Sequence, residues 1–210
     1  IKTKFIEGLR VTDKKTVKIV EKVLFKEINK KIVEDIKFFG GKAVGLSGNR
    51  NGLILAEKLK IYSNESDSNI EKLLDLGFVG KPKNISINLI KKQIKKNIIP
   101  VIAPLGIDKE NNTLNINADT VAGAIAGSMQ ASKLLLLTDV AGVMDQNKKL
   151  ISFLSLKKAK KIVNKKYILG GMKPKILTCI EAMNEGVEEA TILDGRVSHS
   201  VILELFTEHG

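Results

Sequence analysis

Residues 111–145 read NNTLNINADTVAGAIAGSMQASKLLLLTDVAGVMD and change pattern abruptly twice. Leu114 to Asn117 make a short, partly apolar entry, and the run of small residues after Asp119 has no proline and carries apolar positions at helical spacing. This pattern predicts a strand that turns directly into a helix. Because glycine and alanine crowd that helix, its backbone can lie very close to a sheet or a ligand, at some cost in helix propensity.

The next segment, Lys133 to Thr138 (KLLLLT), is a continuous apolar run, which is typical of a parallel strand buried on both faces. Ligands of open α/β sheets bind at the carboxyl ends of the strands, so a site is expected after each predicted strand. The residues in such positions are Asn115, Asp119, Thr138, Asp139 and Gly142. The plain alternative is that Asp119 only caps a helix and that 139–142 form only a turn.

The composition permits a soluble globular enzyme and shows an excess of lysine. A length of 210 residues, 43% of them apolar, predicts one domain with a sizeable core. Only 4% aromatic residues and no Trp argue against an aromatic platform for single-stranded nucleic acid. The net charge of +12 would suit an anionic partner. However, the lysines are spread over nearly every predicted helix, together with abundant Ile and Asn, so we favour a biased genome composition and predict no nucleic-acid partner.

Cysteine content and apolar runs bear on the compartment. The single cysteine, Cys179, cannot form an intramolecular disulfide, which favours a reducing compartment. No apolar run reaches the roughly 20 residues that a membrane span requires, and no signal peptide is visible, so no membrane partner is predicted. Because the chain begins at Ile1 rather than at a methionine, the lack of a targeting segment has little weight.

The alternation of predicted helices and strands indicates an α/β fold with a mainly parallel central sheet. Four strands are expected to lie in that sheet, at 43–46, 99–107, 133–138 and 189–193. A further strand at 53–61 is predicted to form a hairpin with the strand at 43–46 across a turn-rich hexapeptide. Near the amino end, one helical segment is predicted over 17–28, and Asn29 is predicted to open a second one.

Two cations precede or open predicted helices. Arg10 lies just before the capping candidates Thr12 and Asp13, where its forked guanidinium could bind a carboxylate or simply be solvated. Lys175 follows two glycines and Pro174 at a predicted helix start. A cation there is disfavoured by the helix dipole, so Lys175 is either exposed or retained for a bound anion.

Other chemistries have no support in the sequence. The two histidines lie far apart in the pattern, and no Ser-His-Asp arrangement, CxxC pair, HExxH or phosphate-binding GxxxxGK[ST] is present. No metal site is predicted on the protein itself.

Seven segments, in order along the chain, carry a family resemblance. They are GLRVTD (8–13), GGKAVGLSG (40–48), PVIAPLG (100–106), NINAD (115–119), LLLLTDVAGVMD (134–145), GGMKPK (170–175) and DGRVSHSVILELFTEHG (194–210). Together they resemble the N-acetylglutamate kinases of the amino acid kinase family. The resemblance implies a single domain, 1–210, with a three-layer αβα sandwich. In that domain, 1–107 would mainly bind acetylglutamate and form dimers, and 108–210 would mainly bind ATP.

The activity implied by the resemblance is ATP-dependent phosphorylation of the side-chain carboxylate of N-acetyl-L-glutamate in arginine biosynthesis, with ATP and Mg²⁺ as cosubstrate. Arg10 and Asn115 would hold acetylglutamate, Asp119 would organise the catalytic lysines, and Lys175 would neutralise charge on the transferring phosphoryl group. The residues that would border ATP are Asp139, Val140, Ala141, Gly142, Val143, Met144, Tyr167, Ile168 and Leu169.

This chemistry suits the residues present. A carboxylate is already a nucleophile at neutral pH, so the reaction needs no strong general base. It needs cations, Mg²⁺ and helix amino termini that offset the repulsion between a carboxylate and the γ-phosphate, and it needs the two groups held in line.

The carboxyl-terminal segments resemble those of the arginine-inhibited, hexameric members of the family rather than those of the dimeric ones. Arginine is therefore expected as a feedback inhibitor, and Glu204 could pair with its guanidinium. A PII-type signal protein is a further expected partner. The bias towards Lys, Ile and Asn suits a plastid genome or an AT-rich bacterium, so the expected location is the cytoplasm or the plastid stroma.

The sequence also departs from the family pattern. Family members begin with a strand and glycine-rich loops that carry a second catalytic lysine, and they end in a GTMI-like segment; neither is found within these 210 residues. Asn49-Arg50-Asn51 replaces the usual lysine, aspartate and glycine. We therefore expect the amino-terminal part to be missing and the chain as printed to be inactive by itself.

Three other functions stay open at this point. The protein could be a sister amino acid kinase with another acceptor, although GLRVTD and NINAD favour acetylglutamate. It could be a non-catalytic module that senses an amino acid or binds a partner. A basic nucleic-acid binder is the third, and salt-dependent binding to unrelated DNA would support it.

Overall fold

The structure is a computed structural model that describes the backbone of residues 5–6, 9–64 and 71–207 and the side chains of 11–60 and 74–207. The chain forms two compact units, Ile1–Val121 and Ala122–Gly210, which we call unit 1 and unit 2. The functional halves predicted from the sequence, 1–107 and 108–210, stay a prediction.

Unit 1 contains most of the strands. Its strands are β1 (Phe5–Ile6), β2 (Leu9–Arg10), β3 (Ala43–Ser47), β4 (Ile54–Lys58), β5 (Ile61–Asn64), β6 (Glu71–Leu74), β7 (Val79–Ile85), β8 (Ile99–Ala103), β9 (Leu105–Ile107) and β10 (Thr113–Ile116). Its helical segments are α1 (Lys14–Glu21), a π-helical segment (Lys22–Asn29), α2 (Lys30–Phe38) and α3 (Ile87–Ile94).

Unit 2 is richer in helix. Helix α4 (Ala118–Met129) begins in unit 1 and continues into unit 2. The elements that follow are β11 (Lys133–Thr138), α5 (Leu156–Ile162), α6 (Met172–Asn184), β12 (Glu189–Asp194) and α7 (Ser200–Phe206). None of the described helices is both long and apolar enough to cross a membrane.

The four predicted sheet strands are present and pair in parallel, but they do so two by two. Strand β3 pairs with β8 in unit 1, and β11 pairs with β12 in unit 2 from Lys133 opposite Glu189 to Thr138 opposite Asp194. Among the described residues the two pairs are separate ladders, and the prediction that all four strands lie in one sheet stays a prediction. The strand predicted over 99–107 is also divided, because Pro104 has no N–H to continue a ladder.

Strand β4 joins a closed ring of four strands rather than a hairpin with β3. It pairs antiparallel with β7, which pairs with β10, which pairs with β9, which returns to β4 at Leu55 opposite Ile107. The side chains of Leu53, Ile54, Leu105 and Leu114 are almost completely buried. The predicted hairpin is wrong because β3 takes β8 as its partner, while the apolar residues of β4 contribute to this core instead.

One helical run extends from α1 through the π-helical segment to α2. Asp13 caps it as predicted: its carboxylate accepts a hydrogen bond from the Thr16 N–H at 2.6 Å, and this bond lowers the pKa of Asp13. The predicted interruption at Asn29 is wrong, since the backbone there remains helical. Asn29 is buried and donates through Nδ2 to the Val101 carbonyl at 2.8 Å, so its amide does not compete for the helix backbone.

The core of unit 2 has two parts. The first hydrophobic cluster consists of Ala159, Ile162, Val163, Ile168, Ile176 and Ile180. The second includes Ala126, Leu134, Leu136, Ala182 and Val187. In β11, Leu134 and Leu136 are buried, but Leu137 is 49% exposed, so the prediction that this strand is buried on both faces is wrong. Helices α4 and α6 pack against the face that carries Leu134 and Leu136.

Helix α4 does pack as closely as its small residues predict. A Cβ atom on Gly123 would come within 2.5 Å of Thr178 Cγ2, so only glycine fits at this position without a shift of α6. The neighbour is therefore a helix, where the sequence had suggested a sheet or a ligand.

Candidate active site

In unit 1, Thr12 joins the segment after β2 to the start of β7. Thr12 is completely buried, its N–H donates to the Leu76 carbonyl at 3.0 Å, and its carbonyl accepts from the Phe78 N–H at 2.6 Å. Gly77, between those two residues, has φ +72° and lies against the Thr12 carbonyl with no room for a Cβ atom. These contacts hold the chain that follows Arg10 against the strand beside β10.

Asn115 of β10 lies beside Thr12 and Phe78. Its N–H donates to the Phe78 carbonyl at 2.8 Å, and its side-chain Nδ2 lies 3.5 Å from Thr12 Oγ1, the acceptor. Arg10 is two residues before Thr12 in β2, and its side chain lies outside the described residues. The backbone thus brings together the segments that carry Arg10 and Asn115, although Thr12 and Asn115 are 103 positions apart.

Asp119 lies in the first turn of α4, directly after β10, and is half-buried. The cap of this helix is Asn117, whose Oδ1 accepts from the Thr120 N–H at 3.1 Å. The plain alternative that Asp119 is the cap is therefore wrong. A carboxylate in the first turn of a helix is favoured by the helix dipole.

In unit 2, Lys175 meets the carboxyl end of β11. It lies in the first turns of α6, after Pro174 as predicted, and its Nζ donates to the Leu137 carbonyl at 3.4 Å. Asp139 follows β11, and Thr138 Oγ1 lies 3.5 Å from Asp139 Oδ1. Lys175 and the residues after β11 therefore lie together, as the rule for parallel strands predicts.

The two segments predicted to border ATP meet on the first hydrophobic cluster of unit 2. Ile168 is a buried member of that cluster, and both Val143 and Tyr167 pack against it. Val140 and Leu169 expose 44% and 73% of their surface, so apolar side chains remain accessible beside the cluster. The remaining residues of this set are Ala141, which is exposed, Gly142, which is buried, and Met144, which is half-buried.

The sequence reading missed an ion pair at the carboxyl end of β12. Asp194 lies opposite Thr138 in the ladder and accepts from Arg196 Nε at 2.9 Å and Nη2 at 2.7 Å. These bonds, followed by the one from the Arg196 backbone N–H, lower the pKa of Asp194 to about 2. The rule that drew attention to Asp139 applies equally to an acidic residue at the end of the neighbouring strand.

Glu204 of α7 is also engaged within unit 2. Its side chain is 8% exposed and accepts from Lys133 Nζ at 3.0 Å and from Thr191 Oγ1 at 2.9 Å. Lys133 forms a second ion pair with Glu189 at 3.1 Å, and the Glu204 and Glu189 carboxylates raise the pKa of Lys133. A guanidinium ligand would have to share the Glu204 carboxylate with the Lys133 ammonium or displace that ammonium.

The described side chains contain no group of three or more His, Cys, Asp or Glu residues arranged to hold a metal ion. In nucleotide-dependent enzymes, Mg²⁺ is commonly held by the phosphates of the nucleotide and by few protein ligands.

The profile of the amino acid kinase family matches residues 1–194, and the chain belongs to that family. This confirms the family resemblance and the predicted α/β fold class. Kinase membership also implies ATP as the cosubstrate.

More particular relatives share the whole of the chain. The acetylglutamate kinase of Rhodospirillum centenum is 55% identical over all 210 residues, which cover 69% of the relative. The acetylglutamate kinase of Parvibaculum lavamentivorans is 54% identical, again with 69% of the relative covered.

Solved structures agree on the fold. The structure of smu.665 from Streptococcus mutans UA159 has a TM-score of 0.79 and 29% identity, and the match covers 92% of this chain and 74% of that one. N-acetylglutamate synthase from Neisseria gonorrhoeae, complexed with coenzyme A and N-acetyl-glutamate, has a TM-score of 0.81 with 23% identity. That match covers 100% of this chain and 45% of the synthase, and it supports only the fold.

Proposed function

We propose that the protein phosphorylates the side-chain carboxylate of N-acetyl-L-glutamate with ATP, the acetylglutamate kinase reaction of arginine biosynthesis. The observation that carries this proposal is the identity of 54–55% to acetylglutamate kinases along all 210 residues. In the reaction, a carboxylate oxygen attacks the γ-phosphorus, the bond to the β,γ-bridging oxygen breaks, and the products are N-acetyl-L-glutamyl 5-phosphate and ADP. No proton has to be removed from the nucleophile.

Arg10 and Asn115 bind acetylglutamate in this proposal. A guanidinium binds a carboxylate through two parallel hydrogen bonds, which orients the substrate as well as attracting it. Since Asn115 Nδ2 faces Thr12 Oγ1, the Asn115 side-chain oxygen is the atom suited to accept from a substrate N–H. The packing of the segment after Arg10 beside β10 supports this pairing.

Lys175 and Asp119 act on the phosphoryl transfer. Lys175 neutralises charge on the transferring phosphoryl group, and Asp119 organises the catalytic lysines. The segments 139–144 and 167–169 border the nucleotide, and their meeting on one apolar cluster supports this role. Mg²⁺ would be held mainly by the phosphates and would neutralise their charge.

The finer partners are part of the same proposal. Arginine is the feedback inhibitor, with Glu204 in its site, and the assembly is a hexamer rather than a dimer. A PII-type signal protein is a further partner, and the protein acts in the cytoplasm or the plastid stroma. The family resemblance of the carboxyl-terminal segment, 194–210, is what supports the regulatory part.

The test uses the full-length protein with ATP, Mg²⁺ and hydroxylamine, which traps an acyl phosphate as a hydroxamate. Acetylglutamate should give a kcat/KM higher than that of glutamate by on the order of a hundredfold or more, because the site recognises the acetamido group. Aspartate and carbamate serve as further acceptors. Equal or better turnover of one of these would make the protein a sister kinase. Binding of acetylglutamate without any hydroxamate would instead indicate a sensing module.

A further inference from the structure

Unit 2 contains a long segment without any acidic side chain. Between Gln146 and Ile180 the sequence has ten lysines and neither Asp nor Glu. Six of these lysines are concentrated within ten residues on and directly after α5, and all six are exposed. They are Lys157, Lys158, Lys160, Lys161, Lys165 and Lys166, and we call them the lysine surface.

The fold keeps these six charges together. Helix α5 contributes the buried Ala159 and Ile162 to the first hydrophobic cluster, and the chain after it contributes Ile168 to the same cluster. Each of the six lysines lies within two positions of a buried residue of this cluster. Because their backbone is anchored on one small core, the like charges cannot move far apart, and their fields add.

Several lysines of unit 1 have a carboxylate partner. Lys30 forms an ion pair with Glu34, and Lys31 forms one with Asp35, both at helical spacing. Glu57 forms ion pairs with both Lys81 and Lys83. Among the described side chains, no ion pair joins a carboxylate to the lysine surface, and Lys160 donates to a neutral acceptor, Asn184 Oδ1, at 3.1 Å. A compositional excess of lysine accounts for their number but not for the absence of acidic neighbours.

The partner that fits this surface is a small polyanion. Val143 and Tyr167, assigned above to the border of the nucleotide, pack on the same hydrophobic cluster as α5. Only two aromatic residues, Phe153 and Tyr167, occur between Gln146 and Ile180, which is a poor stacking platform for a polynucleotide.

We propose that the lysine surface collects the polyphosphate of ATP and accelerates its association with unit 2, without taking part in the transfer step. This inference rests on the proposed function for the identity of the nucleotide. Surfaces of one charge sign raise the local concentration of an oppositely charged ligand and its association rate by tenfold or more, and salt weakens the effect.

The test compares two full-length variants with the same loss of charge. The surface variant carries Lys157→Gln, Lys158→Gln, Lys161→Gln and Lys165→Gln. The control carries Lys91→Gln, Lys92→Gln, Lys95→Gln and Lys96→Gln, four exposed lysines on and after α3 in unit 1. Stopped-flow mixing with a fluorescent ATP analogue measures the association rate constant over a series of KCl concentrations, and thermal unfolding verifies that each variant is folded.

At low salt the surface variant should associate roughly tenfold more slowly than wild type, and its rate should depend much less on KCl. The control should stay close to wild type in both respects. A wild-type association rate in the surface variant, or an equal loss in the control, would overturn the proposal.

Two further outcomes can be distinguished from a failure of this proposal alone. If the surface variant loses binding of a labelled oligonucleotide while ATP association is unchanged, the surface serves nucleic acid and the proposal is overturned. Hydroxamate formation by wild type tests the proposed function by itself. Its failure together with salt-dependent nucleotide association would leave the collecting surface in place on a nucleotide-binding protein of another activity.

Discussion

At Thr12, a buried hydroxyl lies beside the side-chain amide of Asn115, and the Thr12 backbone bonds to both neighbours of Gly77. A hydrogen bond between neutral groups contributes about 0.5–1.5 kcal/mol, enough to select one orientation of an amide. The Thr12 hydroxyl is therefore placed to orient the side-chain amide of Asn115.

Thr12→Val, which keeps the shape of the side chain and removes the acceptor, should raise the KM for acetylglutamate roughly threefold to tenfold. The KM for ATP should hardly change, and Thr12→Ser should restore most of the loss. Thr178→Val is the matched control, since Thr178 is an equally buried threonine in unit 2. Steady-state kinetics check this, and equal effects of Thr12→Val and Thr178→Val would reduce Thr12 to a purely structural role.

Lys175→Ala should lower kcat by roughly a hundredfold or more with a much smaller change in the KM for acetylglutamate, because its charge matters most in the transition state. Lys173→Ala, two positions earlier on the same helix and exposed, is the control. Asp119→Asn should also lower kcat. Hydroxamate kinetics of the full-length enzyme measure each variant, and a Lys175→Ala variant that changes only the KM would contradict this role.

At the scale of elements, Asn29 links the long helical run of unit 1 to the β3–β8 pair. Its Nδ2 donates to the Val101 carbonyl in β8, and its Oδ1 occupies the space that a side chain at Gly45 of β3 would need. An eight-residue π-helical segment ends at this residue. Such segments are rare, and here the segment delivers a polar side chain into the interface between the helix and the strands.

Asn29→Ala should lower the free energy of unfolding by about 1–3 kcal/mol, because it leaves the part-buried Val101 carbonyl without this donor. Asn88→Ala, at an exposed position of α3, should change it by less than about 0.5 kcal/mol. Urea unfolding of both variants measures the difference. A neutral Asn29→Ala would show that water or another donor satisfies the carbonyl.

The carboxyl ends of β11 and β12 predict a pH dependence. Arg196 lowers the pKa of Asp194 from 3.8 to about 2. A lowered folded-state pKa stabilises the fold above the unfolded value and loses that contribution as the pH falls through the folded value. The gap in unfolding free energy between wild type and Asp194→Asn should therefore be full above pH 3.8 and shrink towards pH 2.

Urea titrations at a series of pH values measure this gap. In an Arg196→Gln background the pH dependence of the gap should largely disappear, because the cause of the shift is removed. A gap that stays constant from neutral pH down to pH 2 would be inconsistent with this assignment.

At the scale of the whole molecule, Glu204 ties the last helix to the β11–β12 pair of unit 2. None of the residues Ser200–Phe206 is fully buried, and the hydrogen bonds of the Glu204 side chain to Lys133 and Thr191 help to attach this helix. A regulatory ligand that competes for the Glu204 carboxylate would act on that attachment.

Glu204→Gln should weaken arginine inhibition about tenfold or more, because one charge-assisted pair with the effector is lost. Lys133→Met is the control: it breaks the same internal ion pair but keeps the carboxylate, so inhibition should persist. Arginine titrations of the full-length enzyme measure both. Equal inhibition of wild type and Glu204→Gln would remove Glu204 from the effector site, and equal losses in both variants would assign the effect to the attachment of α7.

The sequence by itself determined features that depend on neighbouring residues. The bounds of β11, the passage from β10 into α4, the cap at Asp13 and the place of Pro174 in α6 all agree with prediction. Periodicity, capping chemistry and the fixed φ of proline act over a few residues, so they can be read without a fold.

Only the tertiary structure decided which distant residues meet. Apolar strands of similar composition are equally plausible partners, so the pairing of β3 with β8 and of β4 with β7 could not be read from periodicity. The same holds for Thr12 beside Asn115, for the helical backbone at Asn29 and for the Asp194–Arg196 pair next to Thr138. Each depends on the free energy of contacts between segments far apart in the chain, and no local pattern encodes those contacts.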